Sequence, residues 1–206
     1  LERLGGVREA VEPLGLLGTR RFCFARLAEY AAAVDAAQPA INVAALIGHT
    51  SLRAAVMPSF EHAATADERA RMAQQLRLAM DDGAVGLSSG VFYANAFAAD
   101  ERELIEVAAA AAQAGGVYAT HIRTEFDGIL EAMEEAARTA RHGGLPLILS
   151  HHKCAGPANW GRTGETLARM DRLATRQPIG LDVYPYTAGS TVLREDLVDG
   201  IIDIII

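Results

Sequence analysis

Five short apolar runs, Ile41–Gly48, Ala84–Ser89, Val117–His121, Leu147–His151 and Ile179–Tyr184, alternate with helix-length segments along most of this chain. Continuous apolar runs of this length belong to strands covered on both faces. Consecutive parallel strands need a crossover, and a helix is the usual one. The segment Asp67–Asp81 carries Met72, Ala73, Leu76, Ala79 and Met80 at helical spacing. Asp100–Ala114, Asp127–Arg141 and Gly164–Thr175 complete the set, with one further alanine-rich helix at about Ala25–Ala37. Acidic residues open several of them, and Gly115-Gly116, Gly143-Gly144 or Gln177-Pro178 follow their ends, the punctuation expected from the helix dipole and from backbone that must turn. No linker or repeat divides the chain. Alternating units of roughly 30 to 40 residues predict an α/β fold, a (β/α) barrel, with an open doubly wound sheet as the alternative.

Composition narrows the partners. Half of the 206 residues are hydrophobic, enough for a large core. A net charge of −7 argues against nucleic acid or an anionic membrane surface as a main partner. No apolar stretch approaches the ~20 residues of a membrane span. Two cysteines, Cys23 and Cys154, are too few for a disulfide framework and point to a reducing, cytoplasmic compartment. The chain starts at Leu1 and stops inside the run Ile201–Ile206, so it reads as an incomplete part of one barrel domain spanning residues 1–206. Alone, it is expected to be inactive and prone to aggregate through open strand edges. Nothing in the sequence indicates an oligomeric state.

Polar groups gather at one end of the runs, where catalytic groups collect in a parallel barrel. Val117-Tyr118-Ala119-Thr120 leads to His121, and Leu147-Ile148-Leu149-Ser150 leads to His151. Strand alternation puts Val117, Ala119 and His121 on one face, and predicts Leu147, Leu149 and His151 on the matching face of the next strand. Neighbouring strands lie roughly 4.8 Å apart, so the two rings could converge on one metal ion with their inward nitrogens roughly 3 to 4 Å apart. A single strand-end histidine is more often a hydrogen-bonded structural group. Two in succession, one followed by Lys153, reverse that balance.

Gly86-Leu87-Ser88-Ser89-Gly90, Tyr118-Ala119-Thr120-His121-Ile122-Arg123, Ser150-His151-His152-Lys153, Asn159-Trp160-Gly161 and Asp182-Val183-Tyr184-Pro185-Tyr186-Thr187-Ala188-Gly189-Ser190-Thr191 closely resemble the N-acyl-D-amino-acid deacylases (D-aminoacylases), metal-dependent amidohydrolases. The likeness runs from about Ile41 to the end. It implies a TIM-type (β/α)8 barrel, of which this chain would hold about strands three to seven. It implies zinc as cofactor, with His121 and His151 as ligands, and an N-acyl-D-amino acid as small-molecule substrate. By the same resemblance Lys153 and Tyr184 hold the substrate α-carboxylate, a task suited to a cation and a phenol. Tyr93 matches a tyrosine near the scissile carbonyl, where a hydroxyl stabilises a developing oxyanion. Ser190 lines the pocket by resemblance, and is read equally as a turn hydroxyl beside Gly189. The family's His-x-His pair, bridging cysteine and catalytic aspartate have no counterpart here. An amidohydrolase acting on cyclic amides is the alternative, disfavoured because relatives of that type place a carboxylated lysine where this chain reads Gly86-Leu87-Ser88-Ser89. An inactive scaffold is a third reading.

The remaining candidates read mostly as structural. Cys154 is a loop or packing residue, and Cys23 matches no motif. His152 should alternate away from the site, His142 should sit at a helix C-terminus, and His62 falls in a loop. His49 is weighted toward structure. Arg123 and Glu125 follow His121 directly, so they either orient it or bind each other. Trp160 is expected to anchor its loop by packing.

Overall fold

The computed structural model describes residues 24–191. Cys23 and the Ile201–Ile206 run lie outside the described residues. The order is α1 (Leu27–Ala37), β1 (Leu46–Gly48), α2 (His49–Val56), α3 (Ala66–Asp81), β2 (Gly86–Gly90), α4 (Ala94–Phe97), α5 (Glu101–Ala112), β3 (Val117–His121), α6 (Ile129–Gly143), β4 (Leu147–Leu149), a 3-10 turn (Pro157–Asn159), α7 (Thr163–Ala174) and β5 (Ile179–Leu181). The five expected helices form with ends within two residues of the sequence reading. Thr65 accepts from the Glu68 N–H while the Glu68 carboxylate accepts from the Thr65 N–H, which starts α3. Asp100 accepts from the Glu103 N–H and starts α5, and Gly144 ends α6 at φ 79°.

All strands are parallel and follow the sheet order β1-β2-β3-β4-β5. A doubly wound sheet reverses its strand order at a switch point, and this one does not. The sequential order selects the barrel-type arrangement over the open alternative. The ladder pairs Ile47 with Leu87, Leu87 with Tyr118, Tyr118 with Leu147 and Leu147 with Ile179. That row faces the helices and joins Met72, Leu76, Met80, Val107, Ala111, Met133 and Ala140 in one core. The other face carries small residues, Gly48, Ser88 and Ala119, with His121 at its rim. Gly86 admits no side chain, because a Cβ there would overlap the Val117 carbonyl oxygen.

Two kinds of expectation are corrected. The edge strands are shorter than read. β1 forms only from Leu46, leaving Ile41 and Val43 exposed, because it pairs with β2 alone and that ladder begins at Gly86. β5 ends at Leu181, since its partner β4 ends at Leu149. Helices α2 and α4 form in addition to the five that the sequence predicts. In α2 the buried Arg53 interrupts the apolar period that would otherwise announce a helix.

Candidate metal and substrate site

The C-terminal rim of β3 and β4 assembles the site. His121 ends β3, and its Nδ1 lies 3.1 Å from His151 Nε2. The rings meet edge to face with centroids 4.6 Å apart. This spacing is the one expected, but it arises by another route. The ladder pairs Ala119 with Ile148, and Thr120 with Leu149, so Leu147 and Leu149 sit on the face opposite His121. By alternation alone His151 would point into the helix layer. The chain leaves the strand after Leu149, and His151 takes a left-handed conformation at φ 40° that turns its ring back to His121. Asp182 Oδ1 accepts from the His151 N–H at 2.7 Å and holds that turn. A non-glycine residue in this region costs of order 1–3 kcal/mol, and such strain concentrates at functional sites.

Glu125 completes the cluster. One ligand atom from each of His121, Glu125 and His151 lies within 4.8 Å of the others. Glu125 Oε1 accepts from Lys153 Nζ at 2.6 Å and stands 3.1 Å from His151 Nδ1, while Oε2 stands 4.0 Å from His121 Nε2. Burial pushes the Glu125 carboxyl up, yet the hydrogen bonds from His151 and Lys153, with the lysine charge, hold it below the ordinary carboxylate range. The sequence left Glu125 between orienting His121 and binding Arg123. It binds neither closely: Arg123 pairs with Glu135 at 2.6 Å and donates to the Phe97 and Ala99 carbonyls. The i, i+4 spacing from His121 was the only local signal, and in a loop it carries no helical meaning.

Aromatic rings surround the histidines. Tyr93, the N-cap residue of α4, has its ring 5.1 Å from that of His121, and Phe92 stacks on the same imidazole at 5.0 Å. Lys153 Nζ lies 5.4 Å from the Tyr184 ring centroid, and Tyr184 is 6.4 Å from the His151 ring. Tyr93, His121, His151, Lys153 and Tyr184 therefore share one surface. Ser190 is exposed after β5, and among the described contacts none joins it to the histidines. Its neighbour Gly189 passes so near Tyr184 that a Cβ there would stand 3.3 Å from the phenol oxygen.

The other candidates resolve as structure, with one exception. His152 points away and bonds Thr166 Oγ1 at 2.8 Å, with its pKa lowered by burial. His49 is fully buried and bonds Glu103 at 2.9 Å. His62 bonds the adjacent Ala63 carbonyl, His142 is exposed in the last turn of α6, and Cys154 packs half-buried against the core. Trp160 is the exception: it is 74% exposed and anchors nothing by packing. Asn159 does that work, buried and bonded through Nδ2 to Asp127 and to the Ala155 carbonyl.

A one-way parallel α/β sheet with paired histidines on its C-terminal rim is barrel-type architecture with a candidate metal site where such barrels carry their chemistry. No family model matches the chain. D-aminoacylase of Alcaligenes xylosoxydans xylosoxydans is 45% identical over 189 residues, which cover 90% of this chain and 39% of that protein. N-acyl-D-glutamate deacylase of the same organism is 42% identical over 192 residues, 93% of this chain and 39% of the relative. A crystal structure of D-aminoacylase superposes with a TM-score of 0.82 at 46% identity, covering 84% of this chain and 37% of that one. N-acyl-D-glutamate deacylase from Bordetella bronchiseptica, solved with zinc and a phosphonate mimic of the tetrahedral intermediate, superposes at 0.85 with 40% identity, covering 91% and 40%. Over nine-tenths of its length the chain is similar to N-acyl-D-amino-acid deacylases, and it spans about two-fifths of the length of these relatives.

Proposed function

We propose that the whole protein hydrolyses the amide bond of N-acyl-D-amino acids, releasing a carboxylate and a free D-amino acid, with zinc held in part by His121 and His151. The observation that carries this reading is the 3.1 Å approach of His121 Nδ1 to His151 Nε2 at the sheet rim. The donor set fits the metal: two tetrahedral nitrogen ligands at about 2.0–2.1 Å stand roughly 3.3 Å apart. When bound, zinc polarises the acyl carbonyl and makes an attacking water more acidic. The chain's own residues then divide the remaining work. The Lys153 ammonium and the Tyr184 hydroxyl take the α-carboxylate, with Lys153 exchanging its bond to Glu125 for the substrate. Tyr93, whose ring lies 5.1 Å from that of His121, donates its hydroxyl to the carbonyl oxygen as charge develops there. Ser190 lines the α-carboxylate end of the pocket, next to the Gly189–Tyr184 contact.

The identities to the D-aminoacylase, the N-acyl-D-glutamate deacylase and the N-acyl-D-aspartate deacylase are 45, 42 and 44%, too close to choose a side chain. A panel of N-acetyl-D-amino acids, neutral and acidic, assayed on the full-length protein tests the proposal. Turnover of at least one D-substrate with no turnover of its L-enantiomer supports it; no turnover of any defeats it. Within that panel Lys153→Met is expected to raise KM, lowering kcat/KM about tenfold or more for loss of one charge-assisted hydrogen bond, with zinc content unchanged. Loss of metal together with activity would instead make Lys153 a support for His151. Tyr93→Phe is expected to lower kcat about 100-fold at nearly constant KM, the pattern of a donor used only in the transition state. A KM effect alone would remove Tyr93 from that role.

A further inference from the structure

We infer that Glu125 is a positioning residue of this site: its carboxylate holds the proton of His151 on Nδ1, so that Nε2 faces His121 with its lone pair, and aims Lys153 at the pocket. This rests on the metal-centre reading above and adds to it a role for Glu125 toward His151, where the sequence offered one only toward His121. The His151 ring meets polar groups at both nitrogens. Nε2 faces His121 Nδ1 at 3.1 Å, and Nδ1 faces Glu125 Oε1 at 3.1 Å and Lys153 Nζ at 3.0 Å. Nδ1 can therefore either donate to the carboxylate or accept from the ammonium. Lys153 already has two oxygen acceptors, Glu125 Oε1 at 2.6 Å and the His151 carbonyl at 3.0 Å. A bare Nδ1 would set its lone pair against a carboxylate oxygen 3.1 Å away. Donation from Nδ1 removes that repulsion and frees Nε2 on the site side.

Glu125 is itself fixed well enough to do this. It is 6% exposed, and its carbonyl accepts from the Ala155 N–H at 2.8 Å, tying the loop after β3 to the loop after β4. A carboxylate on the far nitrogen of a ligating histidine fixes the ring and its tautomer, and its loss commonly costs 10–100-fold in metal affinity. The carboxylate oxygen that remains, Oε2, is 4.0 Å from His121 Nε2 and makes no close bond to it.

The test uses the full-length protein, with zinc affinity measured by chelator competition for wild type, Glu125→Ala, Glu125→Gln and His151→Ala. Zinc affinity is expected to fall about 10–100-fold in Glu125→Ala and to recover most of that in Glu125→Gln, whose amide oxygen still accepts from Nδ1. Unchanged affinity in Glu125→Ala overturns the inference. Zinc loss in Glu125→Gln as complete as in His151→Ala also overturns it, by making Glu125 a direct ligand. If Glu125→Ala does not fold, nitrogen-15 spectra of the wild type before zinc loading decide: the proton on His151 Nδ1 supports the inference, and a proton on Nε2 refutes it. His151→Ala with intact zinc affinity defeats the metal-centre reading itself, an outcome distinct from the others.

Discussion

Alanine at His121 or at His151 in the full-length protein is expected to abolish tight zinc binding and to lower kcat/KM at least ~1000-fold. The magnitude follows from losing several kcal/mol of charge stabilisation at the acyl carbonyl, at about 1.4 kcal/mol per factor of ten. Both histidines sit at the rim, half-buried and outside the apolar core, so truncating either leaves the hydrophobic packing of the sheet intact. Far-ultraviolet circular dichroism should therefore match wild type while metal analysis shows a deficit. A variant that keeps stoichiometric zinc and activity within tenfold of wild type would remove that histidine from the metal centre.

The second large effect lies away from the site. Glu103 is wholly buried and accepts from His49 Nε2 at 2.9 Å, Arg53 Nη1 at 2.5 Å and the Ala64 N–H at 2.6 Å. Arg53 in turn donates to the Phe60 and His62 carbonyls. One carboxylate thus ties α2, the loop to α3 and α5 together behind the rim. Replacing it with alanine leaves the buried Arg53 charge without its counter-ion, which costs about 3–5 kcal/mol. An equilibrium unfolding loss below about 1 kcal/mol, small against that cost, would show the network to be dispensable.

Its pH dependence has a definite sign. Burial would raise the Glu103 carboxyl, but the bonds from His49, the Ala64 N–H and Arg53 bring it from 4.5 down to about 2. A depressed carboxylate contributes stability that is fully present above its unfolded value and is lost as pH falls through the folded one. The difference in unfolding free energy between wild type and Glu103→Gln should therefore shrink from about pH 5 toward pH 2, by roughly 3 kcal/mol in all. A difference that stays constant across that range would contradict the shift.

The local part of this protein was legible in its residues. The spacing of Met72, Leu76 and Met80 builds α3, the acidic starts and glycine stops bound α5 and α6, and Val117–His121 forms the strand read for it. These are properties of ten or fifteen consecutive residues, and the physics behind them, helical period and end-capping, acts over the same distance. The two histidines were also legible as a pair, although alternation puts Leu147 and Leu149 beside His121 and the ladder puts them on the opposite face. The arrival of His151 depends on the stagger between β3 and β4 and on a left-handed turn held by Asp182, thirty-one residues away. The same holds for the partners of the charges. Glu125 chose Lys153 and His151 over Arg123, Arg123 took Glu135, and Arg53 was buried whole against Glu103. Each choice balances the desolvation of a charge against a partner supplied by another element, and only the assembled tertiary structure brings that partner within reach.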